Sequence, residues 1–167
     1  LTGKSWNYGY ISRIYSNDSG TFTDIAAGLR GVYDGSAEWG DCENDGDLDL
    51  LLTGYYNDIG DYISRVYINS SGSFTDLDAG LTGVYRSSSS WGDYDNDGDL
   101  DIILSGYSAT GDITRIYTNE STVSNTVPEA PSNLDYILGP NKVTLSWDKA
   151  SDSETTTNGL SYNLRIG

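Results

Sequence analysis

The sequence WGDCENDGDLDLLLTG at residues 39–54 recurs 52 positions later as WGDYDNDGDLDIILSG at residues 91–106. A chain that repeats itself in this way consists of copies of one structural unit. Within each copy, acidic residues occupy alternate positions of a nine-residue stretch, here called the first and second acidic loops. They are Asp41, Glu43, Asp45, Asp47 and Asp49 in the first loop, and Asp93, Asp95, Asp97, Asp99 and Asp101 in the second. Five carboxylates so close together repel one another unless a cation neutralises them.

The donor type selects the cation. Carboxylate and carbonyl oxygens on a short loop suit a hard ion that takes about 6 to 8 oxygen ligands, so we expect two calcium ions. Gly46 and Gly98, sixth in each loop, permit the turn that folds the chain around the ion. Asp47 and Asp99 would then bind through their backbone carbonyls, and the other eight acidic residues through their side chains.

Two alternatives concern the same loops. An EF-hand requires a bidentate Glu at position 12, which is Leu52 or Leu104 here, and a helix on each side, so that interpretation fails. A solvated Asp-Gly hairpin turn would need no ion, and its repetition at fixed spacing argues against it. The short apolar runs at residues 48–52 and 100–104 predict strands that are buried on both faces.

Composition limits the possible partners. The net charge of the 167 residues is -16, with no histidine and one cysteine, Cys42. An acidic surface repels nucleic acid and anionic membrane, so we expect neither as a partner and no membrane insertion. No disulfide can form within the chain, and Cys42 is predicted to point outward from its loop. Because the first residues match the end of a repeat strand, we expect the chain to be a piece of a longer protein.

A second repeated pattern predicts more strands. Residues 11–15, 63–67 and 113–117 share β-branched and aromatic residues around a central arginine. Polar turns follow, and short strands are expected at residues 21–24 and 73–76. The turns also match the Asn-x-Ser glycosylation pattern, although Asn and Ser equally suit hairpin turns. We expect the three arginines to pair with acidic groups of a neighbouring unit, and they are Arg13, Arg65 and Arg115.

The repeat therefore contains four strands in about 52 residues, which is typical of β-propeller blades. The predicted fold class is all-β, a partial β-propeller of four-stranded blades followed by a truncated immunoglobulin-like sandwich segment. The predicted units are a partial blade at 1–24 and blades at 25–76 and 77–125.

The acidic loop with its Trp-Gly-Asp start and apolar strand resembles the FG-GAP/VCBS repeat of integrin-like propellers and of many secreted bacterial proteins. The resemblance covers roughly residues 1–119, and it implies that each loop joins strands 1 and 2 of a blade and binds calcium. Glu43 departs from the Asp or Asn usual at position 3, so the first site is expected to be looser than the second.

The end of the chain differs in character. A proline-bearing linker is predicted at 126–132, and strands at 133–136, 142–147 and 160–165. Residues 133–167 resemble the opening of a fibronectin type III domain, whose second strand carries a Trp where Trp147 stands. About 40 residues are too few for a sandwich of roughly 100, so this domain is predicted to be truncated.

These features predict a function in binding. We expect a calcium-stabilised propeller, secreted or on the cell surface of a bacterial-type organism, that acts as a carbohydrate- or protein-binding adhesion scaffold. Alternatives are an architectural spacer of a large surface protein, or a non-catalytic part of a secreted polysaccharide-degrading enzyme. No paired carboxylates outside the loops suggest catalysis, so no enzyme is predicted. The candidate binding surface is aromatic, although packing of the same rings along the rim between blades is the favoured interpretation. The residues concerned are Trp6, Tyr8, Tyr10, Tyr55, Tyr56, Tyr62 and Tyr107.

Overall fold

The computed structural model describes residues 1–7, 9–56, 61–120, 126–153, 160 and 162–165. The described part of the chain is all-β, with thirteen strands in antiparallel sheets and no helix. A search of these residues for a helix long and apolar enough to cross a membrane finds none. The strands are β1 Thr2–Ser5, β2 Gly9–Ser12, β3 Tyr15–Asp18, β4 Thr21–Asp24, β5 Ala37–Gly40, β6 Asp49–Tyr55, β7 Tyr62–Ser70, β8 Ser73–Asp76, β9 Tyr85–Gly92, β10 Asp101–Ser108, β11 Gly111–Tyr117, β12 Ser132–Leu138 and β13 Val143–Asp148.

The second repeat unit is a four-stranded meander in the order β5-β6-β7-β8. Its inner strand, β6, is buried along almost its whole length, as its continuous apolar sequence predicts. Leu51 pairs with Val66 of β7, and the end of β7 pairs with β8. The predicted four-stranded unit, with the acidic loop between its first two strands, is confirmed here.

The third unit repeats this arrangement with β9, β10 and β11. The first unit consists of two hairpins, β1-β2 and β3-β4. The strand predicted at residues 11–15 is divided there, because the pairing with β1 ends where Arg13 donates its N–H to the carbonyl of Leu1. Ile14 instead accepts a hydrogen bond from Ile25, beyond β4. The same stretch in the second unit is one continuous strand, β7.

Consecutive units pack face to face through both sides of the inner strand. Leu51 belongs to a buried cluster that it shares with Ile102 and Leu104 of the third unit. Leu50 and Leu52 point the other way, into a cluster with Val32 that contacts the first unit through Ile14. Burial on both faces is thus confirmed for β6, and it makes the second unit depend on both neighbours. For the run at 100–104 the same prediction is wrong, because no described sheet covers that face of β10 and Ile103 is 47% exposed.

The connections between units also join adjacent sheets. Val32 forms a β-bridge with Ile11 of the first unit, and the next residue, Tyr33, bridges to Tyr55 of the second. One unit later, Val84 bridges to Ile63 in the same way. Side-by-side meanders linked in this manner have the arrangement of propeller blades.

The predicted partners of the arginines are wrong. Arg13 pairs with Asp24 at 3.2 Å and Arg65 pairs with Asp76, in each case within one unit rather than between units. The reason is register: Asp76 lies opposite Tyr67, so it stands diagonally across the β7-β8 ladder from Arg65. Arg115 donates to the hydroxyl of Thr82, in the connection that precedes β9.

The final segment forms the hairpin β12-β13, where two of the three expected strands are found. The described residues of the third, 160 and 162–165, belong to no strand, and residue 161 lies outside the described part. This segment makes side-chain contacts instead, since Trp147 and Tyr162 have ring centroids 5.6 Å apart and the Tyr162 hydroxyl accepts from the N–H of Ala150.

Candidate metal centre

Each acidic loop is closed by the last pair of its strand ladder. Gly40 pairs with Asp49 in the second unit, and Gly92 pairs with Asp101 in the third. The residue before each loop therefore lies beside the ninth loop position, so the eight residues between them must fold back over the end of the sheet.

The first residue of each loop organises the turn through hydrogen bonds from the backbone. Asp41 accepts from the N–H groups of Asp45 at 3.0 Å and Gly46 at 2.9 Å. Asp93 accepts from Asp97 at 3.1 Å and Gly98 at 3.2 Å. The sixth-position glycines have φ of 88° and 98°, in the region that favours glycine, as the turn prediction requires.

The ninth residue of each loop is a buried carboxylate that joins three segments. Asp49 accepts from the N–H of Cys42 at 2.9 Å through one oxygen and from that of Asn69 at 2.9 Å through the other. Asp101 does the same with Tyr94 at 3.0 Å and Asn119 at 2.8 Å. These carboxylates therefore connect each loop to the end of the third strand of its unit, which is β7 in the second unit and β11 in the third. Each carboxylate oxygen retains a second lone pair that could bind an ion.

The second loop gathers three potential ligands. Asp93, Asp95 and Asp101 each offer a carboxylate oxygen, and these oxygens lie within 4.8 Å of one another. Two oxygens bound to one calcium ion at about 2.3 to 2.6 Å are separated by no more than about 5.2 Å. The spacing and the all-oxygen donor set therefore fit calcium. No group of three carboxylates in the described part of the first loop meets the same spacing.

The remaining predicted ligands lie around these loops. Asp45 and Asp97 are exposed and each accepts from the N–H two residues on, at 2.9 and 3.0 Å. Asp47 accepts from the N–H of Ser71 at 2.8 Å, while Asp99 is buried. The predicted role of Asp47 and Asp99 as carbonyl ligands leaves these side chains free for such contacts.

Clustering changes the acidity of the loops. Desolvation is the largest cause of a raised pKa at Asp41, where the charges of Asp45 and Asp49 add to it. Glu43 has its pKa raised by desolvation and then by Asp45 and Asp49. The pKa of Asp95 is raised by desolvation and then by the charges of Asp97 and Asp101. A divalent cation would reverse these shifts because it stabilises the ionised form.

Contacts between the two loops are absent from the sequence-based predictions. Asn44, fourth in the first loop, donates from Nδ2 to Oδ1 of Asp99 at 2.8 Å across the unit boundary. Asn119 donates to the carbonyl of Cys42 at 2.7 Å. The only available signal was the Asn at position 4 of both loops, which favours the left-handed conformation seen there, with φ of 56° and 62°.

The prediction that Cys42 points outward is wrong. The thiol is buried in the cluster between the second and third units, and this burial, with the nearby Asp49, raises its pKa. Its counterpart Tyr94 is exposed. Position 2 of the loop therefore faces the next unit along the chain, which a single loop sequence does not reveal.

In the polar turns that follow β3 and β7, asparagine side chains form the hydrogen bonds that are typical of hairpin turns. Asn17 accepts from the N–H of Gly20 at 2.9 Å and Asn69 from that of Gly72 at 2.8 Å. Asn69 also donates from Nδ2 to the carbonyl of Leu48 at 3.0 Å. Both side chains stabilise their turns, and Asn69 also attaches its turn to the first acidic loop.

The aromatic residues at the opposite end mostly pack on one another. A continuous series of ring contacts, here called the tyrosine ribbon, crosses the unit boundaries, with centroid separations of 4.7 to 6.5 Å. Its members are Tyr10, Tyr33, Tyr55, Tyr62, Tyr85 and Tyr107. Tyr33 and Tyr85 had not been predicted. Of the other expected aromatics, Trp6 is fully exposed, Tyr56 contacts Arg30 and Tyr8 lies outside the described residues.

Comparison with known proteins gives one family. Residues 41–104 match the FG-GAP-like repeat, a segment that starts at the first acidic loop and ends within β10. No curated protein and no solved structure gives a significant match to the chain. The matched segment contains both predicted metal loops and the boundary between the second and third units.

Proposed function

We propose that this chain is a calcium-stabilised β-propeller segment that serves as an extracellular scaffold for binding carbohydrate or protein. The observation that carries the proposal is the convergence of Asp93, Asp95 and Asp101 on one point of a loop that the backbone already holds in shape. The match to the FG-GAP-like repeat supports it. We propose no catalytic role.

Two open faces support assembly into a larger propeller. Cys42, Leu51 and Val66 are covered by the third unit and are 7%, 0% and 2% exposed. Tyr94, Ile103 and Ile116 occupy the same positions one unit later and are 55%, 47% and 53% exposed. Apolar residues in these positions suit contact with another sheet.

The other open face lies between the first and second units. Trp91 packs over Gly40 and donates from its indole to the carbonyl of Glu38 at 3.3 Å. Its counterpart Trp39 is exposed beside an open groove of about 520 Å³. The same Trp-on-Gly contact could form there with a strand that pairs with β1 as β5 pairs with β6.

An extracellular setting agrees with weak cation sites. Calcium outside cells is abundant enough to fill sites with Kd of about 10⁻⁴ to 10⁻³ M. Such binding stabilises a chain that has a single cysteine and hence no internal disulfide.

The recognition surface is proposed at the end that carries the tyrosine ribbon. Most of its ring faces contact other rings, which supports a structural role, but Tyr107 is exposed and Lys4 lies 5.4 Å from the Tyr10 ring centroid. Aromatic rings beside a cation suit a sugar or a protein side chain. A spacer function remains the second candidate, and the fibronectin type III resemblance of residues 133–167 favours it.

Calorimetric titration tests the cation sites. We expect the chain to bind two calcium ions, the second loop more tightly than the first, and magnesium more weakly because it demands a smaller octahedral site. Asp95→Asn should abolish the second site, whereas Asp112→Asn, an equal change of charge at an exposed position of β11, should leave both. Absence of heat and of bound calcium by dialysis would contradict the proposal.

A glycan and protein array, probed with and without calcium, separates the scaffold candidates. Binding that falls on substitution of Tyr107 or Lys4 supports recognition. A chain that binds calcium but no array member would indicate the spacer.

A further inference from the structure

The two acidic loops are connected directly across the boundary between units. Asn44 is only 8% exposed and its amide donates to the Asp99 carboxylate, which is 5% exposed. Asp99 in turn donates its backbone N–H to Asp97, a predicted ligand of the second loop, at 3.0 Å. Asn44 stands between Glu43 and Asp45 of the first loop. A buried hydrogen bond to a charged group is among the stronger kinds.

A second connection runs through Asn119, which follows β11. Its amide donates to the carbonyl of Cys42 in the first loop at 2.7 Å and to that of Leu100 in the second at 3.3 Å. Its backbone N–H donates to Asp101, one of the three convergent carboxylates, at 2.8 Å. One residue thus contacts both loops and a predicted ligand.

We propose that cation binding at the two loops is positively coupled through these contacts, with Asn44 and Asn119 as positioning residues that touch no ion themselves. The inference rests on the proposed function, since it requires that the loops bind cations. An ion in the second loop orders Asp97, Asp99 and Asp101. The ordered Asp99 then holds Asn44, so the first loop loses less conformational freedom when its own ion binds.

Electrostatics acts in the opposite direction. Each loop adds to the negative potential at the other, and an ion in one loop therefore makes the other less attractive to a second cation. This repulsion is screened over about 8 Å at an ionic strength of 0.15 M, whereas a buried hydrogen bond is not. The sign of the coupling at that ionic strength therefore reports which effect is larger.

The repeat provides a matched control. Asn96 occupies the same loop position as Asn44, with a similar positive φ of 62°, but it is exposed. Glycine adopts that backbone conformation readily, so Asn44→Gly and Asn96→Gly remove equal side chains without backbone strain. Only Asn44→Gly removes the bond to Asp99.

Calcium titrations of the intact chain test the coupling. We expect occupation of the second loop to raise the affinity of the first by about 5-fold or more, a normal size for such coupling. Because Asp95→Asn leaves the second loop empty, it should weaken the first site by the same factor. Asn44→Gly should abolish the coupling and Asn96→Gly should keep it.

Exchanging the donor and the acceptor of the Asn44–Asp99 hydrogen bond, here called the reversed pair, distinguishes a positioning role of Asn44 from a contribution to stability alone. Asn44→Asp places two carboxylates together and should abolish the coupling, whereas Asn44→Asp combined with Asp99→Asn restores a donor and an acceptor with unchanged net charge and should recover it. If Asn44 acted only by filling space, the double variant would not recover the coupling.

The outcomes distinguish this inference from the function on which it rests. A chain that binds no calcium overturns both. Two ions that bind independently overturn the coupling alone, as does a first loop whose affinity falls when the second loop is occupied, or coupling that survives Asn44→Gly. Should Asn44→Gly fail to fold, the reversed pair and the Asp95→Asn comparison still decide.

Discussion

At the scale of single residues, Gly40 shows how the units fit together. A Cβ atom placed on it would lie 2.7 Å from two ring atoms of Trp91, closer than real Cβ contacts allow. One unit later, Gly92 has no atom within 4 Å of the corresponding position. The invariant Trp-Gly pair of the sequence is therefore a contact between neighbouring units, Trp of one on Gly of the one before.

This contact predicts the effect of a methyl group. Gly40→Ala should lower the free energy of unfolding by about 1 to 3 kcal/mol, the usual cost of overpacking. Gly92→Ala is the control and should change stability by less than about 0.5 kcal/mol. Urea denaturation of both variants measures the difference, and equal stabilities would contradict the packing.

Cys42 provides a chemical test of the same boundary. Because burial raises the pKa of its thiol, little reactive thiolate forms while the second and third units are packed together. We expect a thiol reagent at pH 8 to label the native chain at least about tenfold more slowly than the urea-unfolded chain. Labelling at the unfolded rate would place the thiol in solvent.

At the scale of elements, Asp49 connects an acidic loop to the strands around it. Both of its oxygens accept backbone N–H groups in a fully buried setting. In Asp49→Asn one oxygen becomes an NH₂ group that must face an N–H donor. We expect a loss of about 1 to 3 kcal/mol even in a chelator, because a buried donor is left unpaired.

Asp45→Asn serves as the comparison for that loss. Asp45 is exposed and uses only one oxygen in its bond with Asp47, so the amide can keep it. In the presence of a chelator, Asp45→Asn is therefore expected to lower the free energy of unfolding only slightly. Equal destabilisation by both variants would mean that general charge reduction, not the buried hydrogen bonds, determines loop stability.

Repetition made the elements predictable. Two aligned copies located the strands, the loops and the burial of β6 on both faces, since each constraint appears twice. Partners across a boundary were not predictable, because alternation of residues shows which side chains share a face and not which neighbour covers it. Hence the prediction for Cys42 was wrong and the Asn44 contact was missed. The prediction for Arg13 and Arg65 was wrong for another reason, because their acidic partners lie in the same unit, diagonally across the strand ladder.

At the scale of the whole molecule, the acidic loops and the aromatic contacts lie at opposite ends of the units. Ten of 25 acidic residues lie in the two loops, at one end of the units. At the other end, the tyrosine ribbon joins the units through ring contacts rather than through carboxylates. Stability at the acidic end should therefore depend on cations and stability at the aromatic end should not.

Thermal unfolding with 1 mM calcium or with a chelator tests this account most directly. At ten times Kd, each filled site adds about 1.4 kcal/mol to the free energy of unfolding. For a chain of this size, that raises Tm by about 3 to 6 °C per site. We expect this rise in the unmodified chain and a smaller rise in Asp95→Asn, whereas identical melting curves with calcium and with chelator would contradict cation-stabilised loops.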